Sequence, residues 1–288
     1  MHITNKYNLP KPIVDAIRDH GYDSPDGLSV TSLINPAYQR RLMRDYKDQI
    51  SVDAADSLWA LLGTSVHAII EQAGTDIIKE LRVYNTIDGQ LISGKSDYYH
   101  PVDKELVDFK VTSKYAVKYG KVKPEWEAQL NILSYLLESI GLEVRNIAIM
   151  AILRDWMNVD KLKHDFSDIP FMMIKVNKWP SDQTLTYIKQ RIQAHTDAAN
   201  LPLSILPICT PQERWATEET YALRKKTHTR ATKLFDDMEE ATVYMNREGI
   251  TLSPSSQWIL EPRPGTDNRC STYCSVKSYC KYAIEKGY

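Results

Sequence analysis

Between Gly94 and Lys110 the chain gathers residues able to bind a metal ion and activate water. Gly94-Lys95-Ser96-Asp97 closes one strand-like stretch, and Val107-Asp108-Phe109-Lys110 lies in the next. Side chains alternate faces along a strand, so Asp108 and Lys110 point the same way. Asp97 can then set a second carboxylate beside Asp108. Two hard oxygen donors next to an ammonium make a site for Mg²⁺ and for a water attacking a phosphodiester. His67, in the helix-like GTSVHAIIE, could add an imidazole, and a mixed nitrogen and carboxylate set accepts Mn²⁺ as well. Lys110 would orient the water or help to deprotonate it, and Gln129 could hold the backbone or position Lys110. Singly, each residue reads more plainly as a local ion pair or a hydrogen-bonded core group. The ordered set is what points to catalysis.

The elements that must position these groups can be read from periodicity. A helix is expected from about Ser57 to Glu80, with a break at Gly74, because Leu58, Leu61, Leu62, Val66, Ile69 and Ile70 recur at helical spacing. LRVYNTI, Asp88-Gly89 and QLISGKSDYY read as a hairpin, since Asp-Gly favours a tight primed turn. ELVDFKV is a third strand. Pro124 to about Ser139 is a helix, and VRNIAIMAIL, residues 144–153, suits a strand buried on both faces. FMMIKV, residues 171–176, is a further strand, and Ser181 can cap a helix running to about Ala199. The expected fold is α/β: a mixed sheet core flanked by helices over 61–200, an N-terminal helical part over 1–60, and a cysteine-bearing C-terminal part over 201–288.

Charge limits how such a chain could hold nucleic acid. Its 288 residues carry 36 Lys and Arg against 37 Asp and Glu, so any DNA-binding surface must be a local patch. Lys114, Lys118, Lys121 and Lys123 are the best placed, directly after the VDFK strand, with Tyr115 and Tyr119 among them to stack on unpaired bases. Arg224, Lys225, Lys226, Arg230 and Lys233 form a second candidate, and Arg40, Arg41 and Arg44 a third. An ordinary solvated surface is the plain alternative for all three. No apolar run reaches the length of a membrane span, and Met1 to Lys11 lacks the apolar block of a signal peptide. The expected location is the cytoplasm, where structural disulfides are uncommon. Cys209, Cys270, Cys274 and Cys280 therefore call for another explanation. Four thiolates suffice for a tetrahedral Zn²⁺ or an iron–sulfur cluster, while four reduced, buried thiols are the simpler reading.

The order of motifs resembles the RecB-type branch of the PD-(D/E)xK nuclease superfamily, whose core is restriction-endonuclease-like. That family's glycine four residues before a helical histidine matches Gly63 and His67, its Gly-x-x-Asp matches Gly94 and Asp97, its Asp-x-Lys matches Asp108 and Lys110, and its helical glutamine matches Gln129. The family often has Tyr four residues after the glutamine, where this chain has Leu133. The resemblance implies a Mg²⁺- or Mn²⁺-dependent DNA exonuclease acting on ends or single strands in recombination, replication or repair, similar to phage exonucleases and in host cytoplasm if phage-encoded. The alternatives are an end-trimming subunit of a larger machine, as in CRISPR adaptation or a helicase–nuclease, and a nuclease-fold protein that only binds DNA. Several such nucleases carry a four-cysteine iron–sulfur cluster whose last three ligands follow the core, as Cys270, Cys274 and Cys280 do here. In those relatives the first cysteine precedes the nuclease motifs, whereas Cys209 follows them. Iron–sulfur is favoured on this resemblance, with Zn²⁺ the alternative.

Overall fold

A computed structural model describes residues 2–19, 27–72, 77–163 and 166–288. The chain forms two compact units, Met1–Leu206 and Pro207–Tyr288.

The first unit contains β1 (His2–Thr4), α1 (Lys11–Asp19), β2 (Leu28–Ser29), α2 (Val30–Ile34), α3 (Ala37–Asp45), β3 (Ser51–Asp53), α4 (Leu58–Glu71), β4 (Ile78–Ile87), β5 (Gln90–His100), β6 (Glu105–Thr112), α5 (Pro124–Ser139), β7 (Asn146–Leu153), β8 (Phe171–Val176) and α6 (Ser181–Asn200). Six strands make a mixed sheet ordered β2-β5-β6-β7-β8, with β4 also paired to β5. The 1–60 segment is thus less uniformly helical than expected, because Leu28 and Ser29 join this sheet alongside Ile92 and Ser93. The helix expected to reach Glu80 ends at Glu71, and β4 begins at Ile78. The anticipated break at Gly74 lies outside the described residues. Ser181 is the first residue of α6 and supplies no side-chain cap.

The β4–β5 hairpin closes on Asp88 and Gly89, both with positive φ, at 49° and 77°. This is the backbone that a primed Asp-Gly turn requires. The turn fixes the register, with Ile87 opposite Gln90 and Leu81 opposite Ser96. On its other side β5 pairs with β2 at Ile92 and Ser93 and with β6 only from Tyr98 onward. Gly94 to Asp97 therefore lie in a gap between two partner strands.

Helix α5 fills that gap from one face. Its Leu130, Ile132, Leu133, Leu136 and Leu137 are buried with Leu106, Ile147 and Ile149 of the sheet. A Cβ on Gly94 would lie 2.6 Å from Leu133 Cδ2 and 2.8 Å from Leu136 Cδ1. Only glycine allows the helix so close to the strand. Val107 and Phe109 alternate to the other face and pack with Ile70 of α4. Helix α4 buries none of its own residues.

The second unit contains β9 (Thr220–Lys225), β10 (Lys233–Phe235), α7 (Met238–Arg247), β11 (Trp258–Arg263) and α8 (Lys281–Glu285). The strands form an antiparallel sheet ordered β10-β9-β11. Its apolar centre is small: Leu223, Phe235, Ala241 and Met245 are buried there.

Candidate active site

The gap in β5 is where the polar residues meet. Asp97 faces β6 without a ladder partner, and its Oδ2 instead accepts a hydrogen bond from the Phe109 N–H at 2.8 Å. Its Oδ1 lies 3.4 Å from His67 Nδ1. The imidazole ring sits edge-on to Phe109, with centroids 5.9 Å apart. On the α5 face of β6, Lys110 Nζ lies 2.6 Å from Asp108 Oδ2 and donates to Gln129 Oε1 at 3.1 Å. The five residues singled out in the sequence thus form two sets along one stretch of β5 and β6: His67 with Asp97, and Asp108 with Lys110 and Gln129, with the Asp97 and His67 charges reaching Asp108.

One further group belongs here. Glu80 of β4 stands opposite Asp97 in the hairpin register, and its backbone has φ 51°. His67, Glu80 and Asp97 each offer a ligand atom within 4.8 Å of the other two. Glu80 also pairs with Lys95 on the same hairpin. Sequence periodicity placed Glu80 at a helix end and so missed it. The turn contained the missing signal: counting outward from Asp88-Gly89 sets Glu80 across from Asp97.

The electrostatics fit a cation. Asp108 is only 3 % exposed. Burial, with the Asp97 charge added, raises its pKa well above the usual carboxylate range, against the opposing pull of Lys110 and His67. Hydrogen bonding to Asp97 raises the pKa of His67. Crowded carboxylates beside an imidazole form a donor set of hard oxygen and borderline nitrogen, which suits a small divalent ion.

The lysine patch divides. Lys118 Nζ lies 5.4 Å from the Phe166 ring, and Lys123 Nζ lies 4.9 Å from the Trp126 ring. Tyr115 is exposed, whereas the side chain of Tyr119 is outside those described. Lys114 is different: it is buried, 2.6 Å from the fully buried Asp160 carboxylate. Hydrogen bonding to Asp160 raises the pKa of Lys114, and Lys114 and Lys163 together hold Asp160 far below the usual carboxylate range. Lys114 therefore ties the turn after β6 to the turn after β7 and is withdrawn from any phosphate-binding surface. Arg41 is likewise structural, donating to the carbonyls of Ala198 and Leu201 at the end of α6. Arg224 pairs with Glu261 within the second unit's sheet.

All four cysteines are free and belong to the second unit. Burial, then Glu213 and the other three thiols, pushes Cys209 up to about 12, so Cys209 lies in the electrostatic reach of the C-terminal trio. Burial pushes Cys270 up to about 11 and raises Cys274 as well. Among the described residues, no three of these sulfurs lie within 4.8 Å of one another. Tetrahedral zinc would hold its sulfurs about 3.8 Å apart.

No family model matches the chain, and no curated protein does. Solved structures that resemble it include the protein SSO0001, at 15 % identity and TM-score 0.44 over 63 % of this chain and 83 % of that one. An alkaline exonuclease from Laribacter hongkongensis is 13 % identical with TM-score 0.38, covering 62 % and 91 %. A phage-related exonuclease from Haemophilus somnus is 15 % identical with TM-score 0.29, covering 66 % and 82 %.

Proposed function

We propose that this chain is a divalent-metal-dependent nuclease that hydrolyses DNA phosphodiester bonds, working from ends. The observation that supports the reading is the set His67, Glu80 and Asp97, whose ligand atoms lie within 4.8 Å of one another, with the buried Asp108–Lys110 pair in reach of their charges and Gln129 behind the lysine. His67, Asp97 and Asp108 would hold Mg²⁺ or Mn²⁺, which when bound supplies Lewis acidity toward the scissile phosphate and toward water. Lys110 carries the positive charge that offsets charge developing on the phosphate, and it orients the attacking water. Gln129 is a positioning residue, since its Oε1 fixes the Lys110 ammonium through a hydrogen bond.

The four thiols are proposed as iron–sulfur ligands, with zinc the alternative. What supports a shared site is that Cys209 lies within electrostatic reach of Cys270, Cys274 and Cys280. Its role would be structural.

End-labelled single- and double-stranded DNA, incubated with Mg²⁺ or Mn²⁺, tests the assignment. Wild type should degrade it and stop when the metal is chelated. Lys110→Ala should lose about 10²–10⁴-fold in rate while keeping its melting temperature. Full Mg²⁺-dependent cleavage by Lys110→Ala would overturn the reading.

A further inference from the structure

Helix α4 is rich in apolar residues, yet Trp59 stands 58 % exposed on it. Trp59, Gly63 and His67 are spaced four apart and so share one stripe of the helix. His67 ends that stripe in the candidate active site. A Cβ on Gly63 would meet nothing within 4 Å, which leaves a bare shelf in the middle. At the far end the Arg154 guanidinium lies over the Trp59 ring, 4.0 Å from its centroid.

Position along the sheet follows from two contacts. His67 meets Phe109, and Arg154, which meets Trp59, donates its backbone N–H to the Thr112 carbonyl at 3.0 Å. Eight helical residues rise about 12 Å, and the three strand steps from Phe109 to Thr112 cover about 10 Å. Helix α4 therefore runs along β6, and its tryptophan stands beyond the end of the strand that carries Asp108 and Lys110.

Among the described residues Arg154 has no carboxylate partner. A guanidinium lying on an exposed indole offers charge to a phosphate, and the ring beside it offers a flat apolar face to a base.

We infer that Trp59 and Arg154 bind a single-stranded DNA segment, with an unpaired base stacked on Trp59 and its phosphate on the Arg154 guanidinium. The strand then reaches the candidate active site across Gly63. This rests on the nuclease reading and narrows it to single-stranded ends, because a base inside a duplex has no free face to stack.

Binding of a short oligothymidylate and of a matched duplex, followed in EDTA by tryptophan fluorescence and by anisotropy of the labelled DNA, tests the inference without cleavage. The single strand should quench wild-type fluorescence. Trp59→Ala should weaken single-strand binding about tenfold and abolish most of the quench, Trp59→Phe should restore the affinity, and duplex binding should not change. Equal single-strand affinity in Trp59→Ala, or equal losses for both DNA forms, would overturn it. Cleavage by the wild type alongside either of those outcomes would leave the nuclease assignment standing, whereas absent cleavage would remove that assignment separately.

Discussion

The two units hold themselves together by different means. The first buries a continuous apolar core running through α5 and the central strands, from Leu106 and Leu130 to Ile149 and Ile188. Asp97, Asp108, Lys110 and Gln129 are carried on those well-packed elements, whereas His67 stands on α4, which buries none of its own residues. The second buries only a handful of apolar side chains and relies on polar ties. Arg214 pairs with Asp267 at 2.9 Å, and Asp267 accepts from the hydroxyls of Tyr282 and Tyr288 at 2.7 and 3.0 Å. The cysteines lie in the same unit. A large core can carry charged, strained functional groups at its edge, whereas a small one needs a staple. The sulfur ligands would therefore serve the second unit's own folding rather than the chemistry.

The sharpest way to break this contrast is to remove one thiol. Cys280→Ser should strip the bound metal and leave Pro207–Tyr288 open to limited proteolysis, while a protected fragment close to Met1–Leu206 survives. Equal resistance of both units in metal-free protein would erase the distinction. A smaller effect sharpens the other side. Gly94→Ala pushes a methyl into Leu133 and Leu136 and should cost about 1–3 kcal/mol in denaturant unfolding, felt in the first unit alone.

The smallest effect concerns pH. The pKa of Asp160 is depressed in the folded protein and that of Lys114 is raised. The pair's contribution is therefore fully present between the ordinary values of 3.8 and 10.5 and is lost as acid protonates Asp160 below that window or base neutralises Lys114 above it. Asp160→Asn should lower the melting temperature near neutrality, and its difference from wild type should shrink as pH falls below about 4.

Much of the first unit was legible because its signals are local. The Asp88-Gly89 turn, the alternation across Val107 to Lys110 and the apolar run of β7 each specify their own element. Non-local facts were hidden. Nothing near Lys114 in sequence announces Asp160, whose carboxylate turns an apparent surface lysine into a buried tie. Glu80 was missed for a different reason. Read as text, the apolar periodicity of α4 continues through Ile77 and Ile78, and that helical pattern masked the strand on which Glu80 faces Asp97. That Cys209 lies in the electrostatic reach of the C-terminal trio depends on the backbone ties of the second unit, where Arg269 N–H bonds the Arg214 carbonyl at 3.0 Å.

The hydrogen bond from Phe109 N–H to Asp97 has a consequence for ion choice. With one lone pair of Oδ2 taken by the main chain, Asp97 is less free to meet a guest ion through both oxygens at once. Calcium commonly draws carboxylates in through both oxygens to fill six to eight positions, whereas magnesium is content with six tightly held ones and keeps several waters. In the proposed metal site, that main-chain amide would favour the smaller, water-retaining ion.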